Sequence, residues 1–204
     1  MSQFLGPIHI WMYGKIKRQD QVTNYICEKA QENGWIVNLK EVLDNTYGEI
    51  VQGDLEDIID VNNIHGWLSH NVDVVESRFA AAVHMILETS KERLEDIKQF
   101  CFEMGQEAGS VCEQNSSCHE YYEVVRGYLV DGMPCDGGIH MEHDEDDQII
   151  WSVASHVHEP YWTAQNESLD TFFVLRDAWL RGFFEGKMVQ YTQLATNTFC
   201  VKEG

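Results

Sequence analysis

Apolar residues recur at helical spacing through the first half of the chain. Between residues 62 and 88 they lie three or four positions apart, at Leu68, Val72, Val75, Phe79, Ala82 and Ile86. This period places one apolar stripe along a surface and predicts a long helix. Pro7 suits the first turn of an earlier helix, which would run to about Asn33 and end at Gly34. A shorter helical segment is predicted at residues 39–43.

Two pairs of residues in the middle of the chain have capping-box spacing. They are Thr89 with Glu92, and Ser117 with Glu120. Each pair precedes apolar residues at helical spacing, so each predicts the start of a further helix. Gly105 and Gly109 lie at the end of the first of these helices, where they would let another backbone approach closely or let the chain turn.

The pattern changes after Pro134. CDGGIHMEHDEDD (residues 135–147) predicts a polar, acidic loop and QIIWSVASH (148–156) a strand. FFVLRDAWLRGFFEG (172–186) predicts a helix that Asp170 caps and Gly186 ends. VQYTQLA and TFCVKE then predict two strands of a hairpin, joined by a Thr-Asn turn.

The order of these elements predicts an α+β fold. A helical region at residues 1–90 would pack on a small antiparallel sheet, which belongs with further helices to an α+β region at 91–204. We expect the two regions to form one compact unit, because 204 residues suffice for a single substantial core.

The net charge of the chain limits the classes of molecule that it can bind. Thirty-four Asp and Glu residues against 14 Lys and Arg give a formal charge of −20. This surface repels phosphate groups and anionic lipid, so we expect neither nucleic acid nor a membrane as a partner. No apolar run approaches the ~20 residues that cross a bilayer. The N-terminal segment does not resemble a secretory signal, and we predict a cytoplasmic protein whose six cysteines are free thiols.

The segment SHVHEPYW contains the most suggestive polar residues. On a strand, His156 and His158 would project from the same face, which suits a zinc, iron or manganese ion. Cys135 and His143, in the predicted acidic loop, would complete the ligand set if that loop folded over the strand. The alternative is that both histidines face solvent beside the acidic loop.

Other histidines and aromatic residues leave two interpretations open. His9 and His65 could join a metal site built elsewhere in the chain, or be buried and hydrogen-bonded. No Glu-x-x-His pair is present, which excludes the usual helical two-metal site. Trp151 and Trp162 belong to a set of large aromatics that could line a pocket or fill the core. The chain has no GxSxG, P-loop or GxGxxG motif.

Five segments between residues 93 and 203 resemble a known family. They are EMGQEAG, YYEVVRGYL, IIWSVASHVHEPYW, LRDAWLRGFFEG and VQYTQLATNTFCVKE. Together they are similar to the L-2-amino-thiazoline-4-carboxylic acid hydrolase-like family, and more loosely to four-vinyl-reductase domains that bind small molecules. The family has a cysteine where this chain has His156 or His158. DGMPCD also resembles a motif of uncharacterised proteins from anaerobic bacteria.

The resemblance implies metal-assisted opening of a cyclic amidine or amide bond. A metal-bound water would be the nucleophile, because the ion lowers the pKa of that water. The roles implied for this chain are metal binding by His156 and His158, a further ligand or a covalent nucleophile at Cys135 or Cys200, a general base at Glu159 or Asp136, and binding of a substrate carboxylate by Arg176. Trp151 and Trp162 would line the substrate pocket.

Two functional hypotheses follow. The first is a metal-dependent hydrolase that acts on a small cyclic amidine or amide, with a divalent transition metal as cofactor. The second is a non-catalytic protein that binds a small molecule or a metal ion, as a sensor or carrier does. Both give the protein a small-molecule partner, and both leave a homo-oligomer open.

Overall fold

The computed structural model describes residues 5–204, in which eight α-helices accompany four β-strands. The helices are α1 (Pro7–Glu32), α2 (Leu39–Tyr47), α3 (Leu55–Ile58), α4 (Ile64–Thr89), α5 (Leu94–Gly109), α6 (Cys118–Tyr128), α7 (Glu159–Ala164) and α8 (Leu169–Phe184). The strands are β1 (Ile139–Glu145), β2 (Gln148–Val153), β3 (Val189–Ala195) and β4 (Thr198–Glu203). The predicted α+β class is confirmed.

The two long helices begin and end where local chemistry predicts. Helix α1 has Pro7 in its first turn and stops before Gly34, whose φ of 67° suits glycine. In α4 the apolar stripe is buried, and the Asn63 side chain accepts a hydrogen bond from the Gly66 N–H at the start of the helix. The two helices pack along each other. No helix in residues 5–204 combines the length and apolar character needed to cross a membrane.

One of the two predicted capping boxes is present. Ser117 accepts a hydrogen bond from the Glu120 N–H, and the Glu120 carboxylate accepts one from the Ser117 N–H. The box predicted at Thr89 and Glu92 is wrong, because α4 continues through Thr89 and a short 3₁₀ turn precedes α5. The continuous apolar stripe of α4 keeps Thr89 helical despite its capping propensity.

Helices α5 and α8 approach each other through glycines. A methyl group at Gly105 would overlap the backbone carbonyl oxygen of Trp179, and one at Gly182 would overlap that of Phe102. Gly109 meets Phe183 in the same way one turn along. The close backbone approach predicted for the α5 glycines is therefore confirmed.

The four strands form one antiparallel sheet in the order β1-β2-β4-β3. Trp151 on β2 lies opposite Phe199 on β4, and both side chains are buried. Alternate residues of β2 face the core, as the period of two requires. Helices α6 and α8 pack against the sheet. The predicted β3–β4 hairpin is confirmed. The predicted Asp170 cap of α8 is wrong, because Ser168 is the cap and accepts a hydrogen bond from the Asp170 N–H.

The acidic segment at residues 135–147 is not the loop that was predicted. Residues Ile139–Glu145 form strand β1, which pairs with β2 and has a bulge between Met141 and His143. Its inward positions are half-buried while the acidic residues between them face solvent. The many charged residues of this segment mask the alternation of half-buried and exposed positions in the sequence.

The strand that carries the two histidines ends earlier than predicted. Strand β2 stops at Val153, residues 155–157 form a 3₁₀ turn, and His158 directly precedes helix α7. Pro160 explains the difference, because proline is favoured in the first turn of a helix and cannot donate to a strand ladder. The predicted side-by-side projection of His156 and His158 is wrong: His156 is exposed, whereas His158 is fully buried.

Two apolar clusters meet near the segment that follows α6. The main core combines residues of both predicted regions, such as Phe79 and Phe183. A smaller cluster packs α1 against α4 and also contains Val130 and Met133. The chain passes from the main core at Leu129 into the smaller one at Val130, and this crossing carries Asp131 into the interior.

The glycine contact makes a stability prediction. Gly105→Ala should lower the free energy of unfolding by about 1–3 kcal/mol, since the methyl group must displace the backbone of α8. Gly14→Ala is the matched control in mid-helix, because its added methyl would lie 3.4 Å from the Arg18 side chain, an ordinary van der Waals contact. We expect the control to gain about 0.5–1 kcal/mol. Urea unfolding measures both, and a stabilised Gly105→Ala variant would contradict the close packing.

Candidate functional site

A buried histidine lies between two carboxylates from distant parts of the chain. His158 Nδ1 is 3.1 Å from Glu76 Oε2 on α4, and His158 Nε2 is 3.2 Å from Asp131 Oδ1. Only the imidazolium ion has an N–H at both nitrogens, so only that form satisfies both contacts. Burial lowers the pKa of His158, but the two carboxylates outweigh burial and raise it above the ordinary value. His158 is therefore the cation between two anions.

Arg176 on α8 completes this ionic network. Its Nη1 donates to Asp131 Oδ1 at 2.8 Å, and its Nη2 donates to the Val130 carbonyl at 3.1 Å. Burial alone would raise the pKa of Asp131, yet Arg176 and His158 hold it at about 2. Phe172, one helical turn earlier, stacks on the His158 ring with a centroid distance of 3.9 Å. The network thus contains two cations and two anions, all buried.

Lys15 on α1 lies beside the network without joining it. Its residue is only 5% exposed, and among residues 5–204 its amine has neither a hydrogen-bond acceptor nor an ion-pair partner. The amine lies over the Trp11 ring, 4.4 Å from the centroid. Burial lowers the pKa of Lys15 to about 8; the Asp131 carboxylate opposes this, while nearby Arg176 acts with burial.

A cavity of about 290 Å³ opens onto this amine. Lys15 and Asp131 lie on its wall together with Trp11 and Tyr122, and Arg126 adds a second cation. Arg126 is exposed and pairs with neighbouring Glu123, so it lies at the rim. Small-molecule sites usually occupy ~300–1,000 Å³. The cavity therefore suits a small ligand.

Two glycines let the loop after α6 fold back onto Asp131. Gly132 has a φ of 73°, which turns the chain directly after the carboxylate. A methyl group at Gly138 would overlap the Asp131 carbonyl oxygen, so only glycine allows this close return. The same loop supplies Met133 and Pro134 to the cavity wall. The loop therefore both positions Asp131 and encloses the ligand space.

The structure brings two predicted residues together and separates them from the others. His158 and Arg176 meet at Asp131, but neither lines the cavity. His156 is exposed and its Nε2 lies 3.0 Å from the Asp136 carbonyl oxygen. Cys135 is exposed beside Asp136, with its sulfur 3.7 Å from the carboxylate. His156, Cys135 and Asp136 thus form a surface group, while both nitrogens of His158 already contact carboxylates.

Three further predicted residues lie at helix starts. His9 is in the first turn of α1, where its Nδ1 accepts a hydrogen bond from the Gly6 N–H at 2.9 Å. His65 is exposed in the first turn of α4, and Glu159 is exposed at the start of α7. None of the three lines the Lys15 cavity or approaches His158 within hydrogen-bonding distance.

The remaining predicted residues belong to the interior. Trp151 packs against Tyr122 and Phe199, and Trp162 lies fully buried against Phe172. Cys200 is buried in β4, with the Gln148 amide 3.6 Å from its sulfur. Their placement matches the core alternative rather than a pocket lining.

One group in the described part of the chain has the geometry of an ion site. Ligand atoms of His143, Glu145 and Asp147 lie within 4.8 Å of one another on the β1–β2 hairpin. His143 was among the predicted ligands, whereas its two neighbours were not. Exposed acidic groups often lie this close without an ion, so the divalent cofactor stays a prediction.

Elemental analysis tests that cofactor. If the predicted zinc, iron or manganese ion is held by this group, we expect His143→Ala to lose it, because imidazole is the one nitrogen ligand present. His156→Ala is the control and should retain the metal, since His156 lies outside the hairpin. Inductively coupled plasma mass spectrometry on the purified full chain gives the stoichiometry. Metal-free wild-type protein would contradict the cofactor prediction.

The sequence contained one unused signal for this site. Lys15 falls at helical spacing among Met12, Ile16 and Gln19, all on the buried face of α1. A lysine on such a face indicates a functional role, because lysine is almost never fully buried without a partner. Asp131 has no local signal, since its partners come from other elements and are distant in sequence.

Comparison with protein-family models, curated protein sequences and solved structures finds no match to this chain. The resemblance of residues 93–203 to the hydrolase-like family stays a prediction.

The depressed pKa of Lys15 predicts a pH-dependent stability. Its folded value of about 8 lies below the ordinary 10.5, so the unfolded chain binds more protons between these values. This group therefore makes the free energy of unfolding rise with pH across that window. Lys15→Met should be more stable than wild type at pH 7, by up to about 3 kcal/mol, and the gain should vanish towards pH 10.5.

Lys17→Met supplies the control for that measurement. Lys17 is half-buried on the same helix and lies over the Tyr13 ring at 4.7 Å, outside the cavity. We expect little pH-dependent difference from wild type for this variant in urea unfolding between pH 7 and 10.5. A gain for Lys15→Met that is the same at every pH would contradict the buried, unpaired amine.

Proposed function

We propose that the protein binds a small, carboxylate-bearing molecule in the Lys15 cavity. The observation that carries this proposal is the buried Lys15 amine, which faces the cavity with no acceptor in the described chain. A buried ammonium group is costly unless it is paired. A ligand carboxylate would supply the missing partner through a charge-assisted hydrogen bond.

The charges around Lys15 support an anionic ligand. Glu76 and Asp131 are already matched by His158 and Arg176, so the network leaves no anion for a fifth charge. Arg126, the second cation of the wall, is matched by Glu123 at the rim. The wall also carries three carboxylates, each of which has a partner: Asp131 pairs with Arg176 and His158, Glu123 with Arg126, and Asp144 with His119. Among the charged residues of the wall, Lys15 is the one left for a ligand to pair with, which supports a carboxylate over an amine.

The aromatic walls support a planar ligand. Trp11 lies beside both cations, with Lys15 at 4.4 Å and Arg126 at 5.4 Å from its ring centroid. Tyr122 adds a second aromatic surface, packed from behind by Trp151. Aromatic side chains favour offset or edge contacts with ligand rings. A single-ring carboxylate matches both the size and the chemistry of this space.

The hydrolase hypothesis fits this site only without the predicted His156–His158 metal pair, because His156 is exposed and His158 is buried between two carboxylates, and only with another carboxylate-binding residue. The resemblance implies a carboxylate-binding arginine at Arg176, but both of its hydrogen-bonding nitrogens contact Asp131 and Val130. We assign that role to Lys15 instead. Asp131 would lie beside the amidine of a cyclic substrate. The binding-protein hypothesis uses the same contacts without turnover. We also propose a cytoplasmic location, which the six free cysteines support.

Calorimetric titration tests the binding proposal. Benzoate should bind wild-type protein at least about tenfold more tightly than benzamide, its neutral counterpart, because only benzoate pairs with Lys15. Lys15→Met should lose that preference, whereas Lys17→Met should keep it. Binding at pH 8 should also take up protons, because the carboxylate raises the pKa of Lys15. Titration in buffers of different ionisation enthalpy measures this uptake.

Equal affinity for benzoate and benzamide in wild-type protein would contradict the proposal, as would proton uptake that survives in Lys15→Met. Incubation with 2-amino-thiazoline-4-carboxylate then separates the two functional hypotheses. Ring-opened product shows an enzyme of the predicted hydrolase type, and binding without product shows a binding protein.

A further inference from the structure

We infer that Lys15 is a covalent nucleophile, which forms an imine with cavity ligands that carry an aldehyde or ketone beside their carboxylate. The inference rests on the proposed function, because the carboxylate brings the ligand to Lys15. It goes further in naming a class of substrates, the small 2-oxo acids, and a reaction for one side chain.

The position of the amine carries the inference. A nucleophilic amine must reach the ligand and must not be held in another hydrogen bond. Lys15 meets both conditions, since it lines the cavity and contacts no acceptor in the described residues. The other two cations differ: Arg176 is fixed in the ionic network and Arg126 pairs with Glu123.

The surroundings of Lys15 favour the neutral amine, which is the reactive form. Enzymes activate lysine by removing it from water and by placing other cations nearby. Here Lys15 is buried, and Arg126 and Arg176 both oppose its protonation. Asp131 acts in the opposite sense and would stabilise a positive iminium nitrogen after the reaction. The two arginines therefore favour the neutral amine before the reaction, and Asp131 favours the positive iminium group after it.

The reaction needs no further reactant. The amine electron pair adds to the carbonyl carbon, the C=O π pair moves to oxygen, and that oxygen takes up a proton. The nitrogen pair then forms the C=N bond as the hydroxyl group leaves as water. Both hydrogens of the neutral amine leave with that water, and nothing is oxidised or reduced. Protonation from solvent gives an iminium ion, which remains beside the ligand carboxylate and keeps the ion pair.

Exposed lysines of the chain provide an internal comparison. Lys40 and Lys91 have side chains that are 50% and 71% exposed, and both pair with carboxylates. Lys17 shares helix α1 with Lys15 but lies outside the cavity. A reaction that depends on the cavity should therefore select Lys15 from this set.

Reductive trapping tests the inference. The full chain is incubated with pyruvate and cyanoborohydride between pH 6 and 9, and modified residues are located by peptide mass spectrometry. We expect Lys15 to be modified at least about tenfold faster than Lys17 or Lys40. Saturating benzoate should protect Lys15 in the wild-type protein, which requires no variant to fold. Lys15→Arg should lose trapping, because a guanidinium group forms no such imine.

The outcomes separate this inference from the proposed function. If benzoate binds as expected but Lys15 is modified no faster than the exposed lysines, the imine is overturned and the ion pair stands. Selective modification of Lys15 that benzoate does not prevent would support the nucleophile and contradict the proposed carboxylate site. Absence of Lys15 modification overturns the inference whatever benzoate shows.

Discussion

The contact of His158 with two carboxylates is the constraint on which the interior depends. Glu76 comes from α4, His158 from the start of α7, and Asp131 from the crossing between the two apolar clusters. Arg176 adds α8 to the same point. Removing one partner would leave the others buried and unmatched, which typically costs about 3–5 kcal/mol. Such a network contributes little net stability compared with apolar packing, but it allows very few arrangements of the elements that carry it.

That restriction explains why the candidate site lies where it does. Because His158 and Arg176 both contact the Asp131 carboxylate, its position at the cavity wall is fixed before any ligand binds. Lys15 reaches the same cavity from α1, and its charge has no partner among residues 5–204. Preorganised charge of this kind lowers the cost of ordering a ligand, because the protein groups need not rearrange. The ionic network thus fixes the part of the cavity wall that Asp131 forms.

Periodicity predicted most of the fold because most elements follow their local pattern. The stripe of α4, the stop at Gly34 and the final hairpin are all local signals. Strand β1 was missed because its acidic residues concealed a period of two, and the strand before His156 was made too long because Pro160 restarts a helix. The candidate site was largely missed for another reason. Its members are single residues from separate elements, and no spacing relates them.

The glycine contact between α5 and α8 has a consequence for the ionic network. Gly182 fixes α8 against the α5 backbone, and Arg176 and Phe172 lie on the same rigid helix. The position of helix α8 therefore depends on a direct contact between its backbone and that of α5. A slight displacement at Gly182 would be transmitted along the helix axis to the guanidinium group. A side chain at Gly182 would thus disturb an ion pair in which the glycine takes no part.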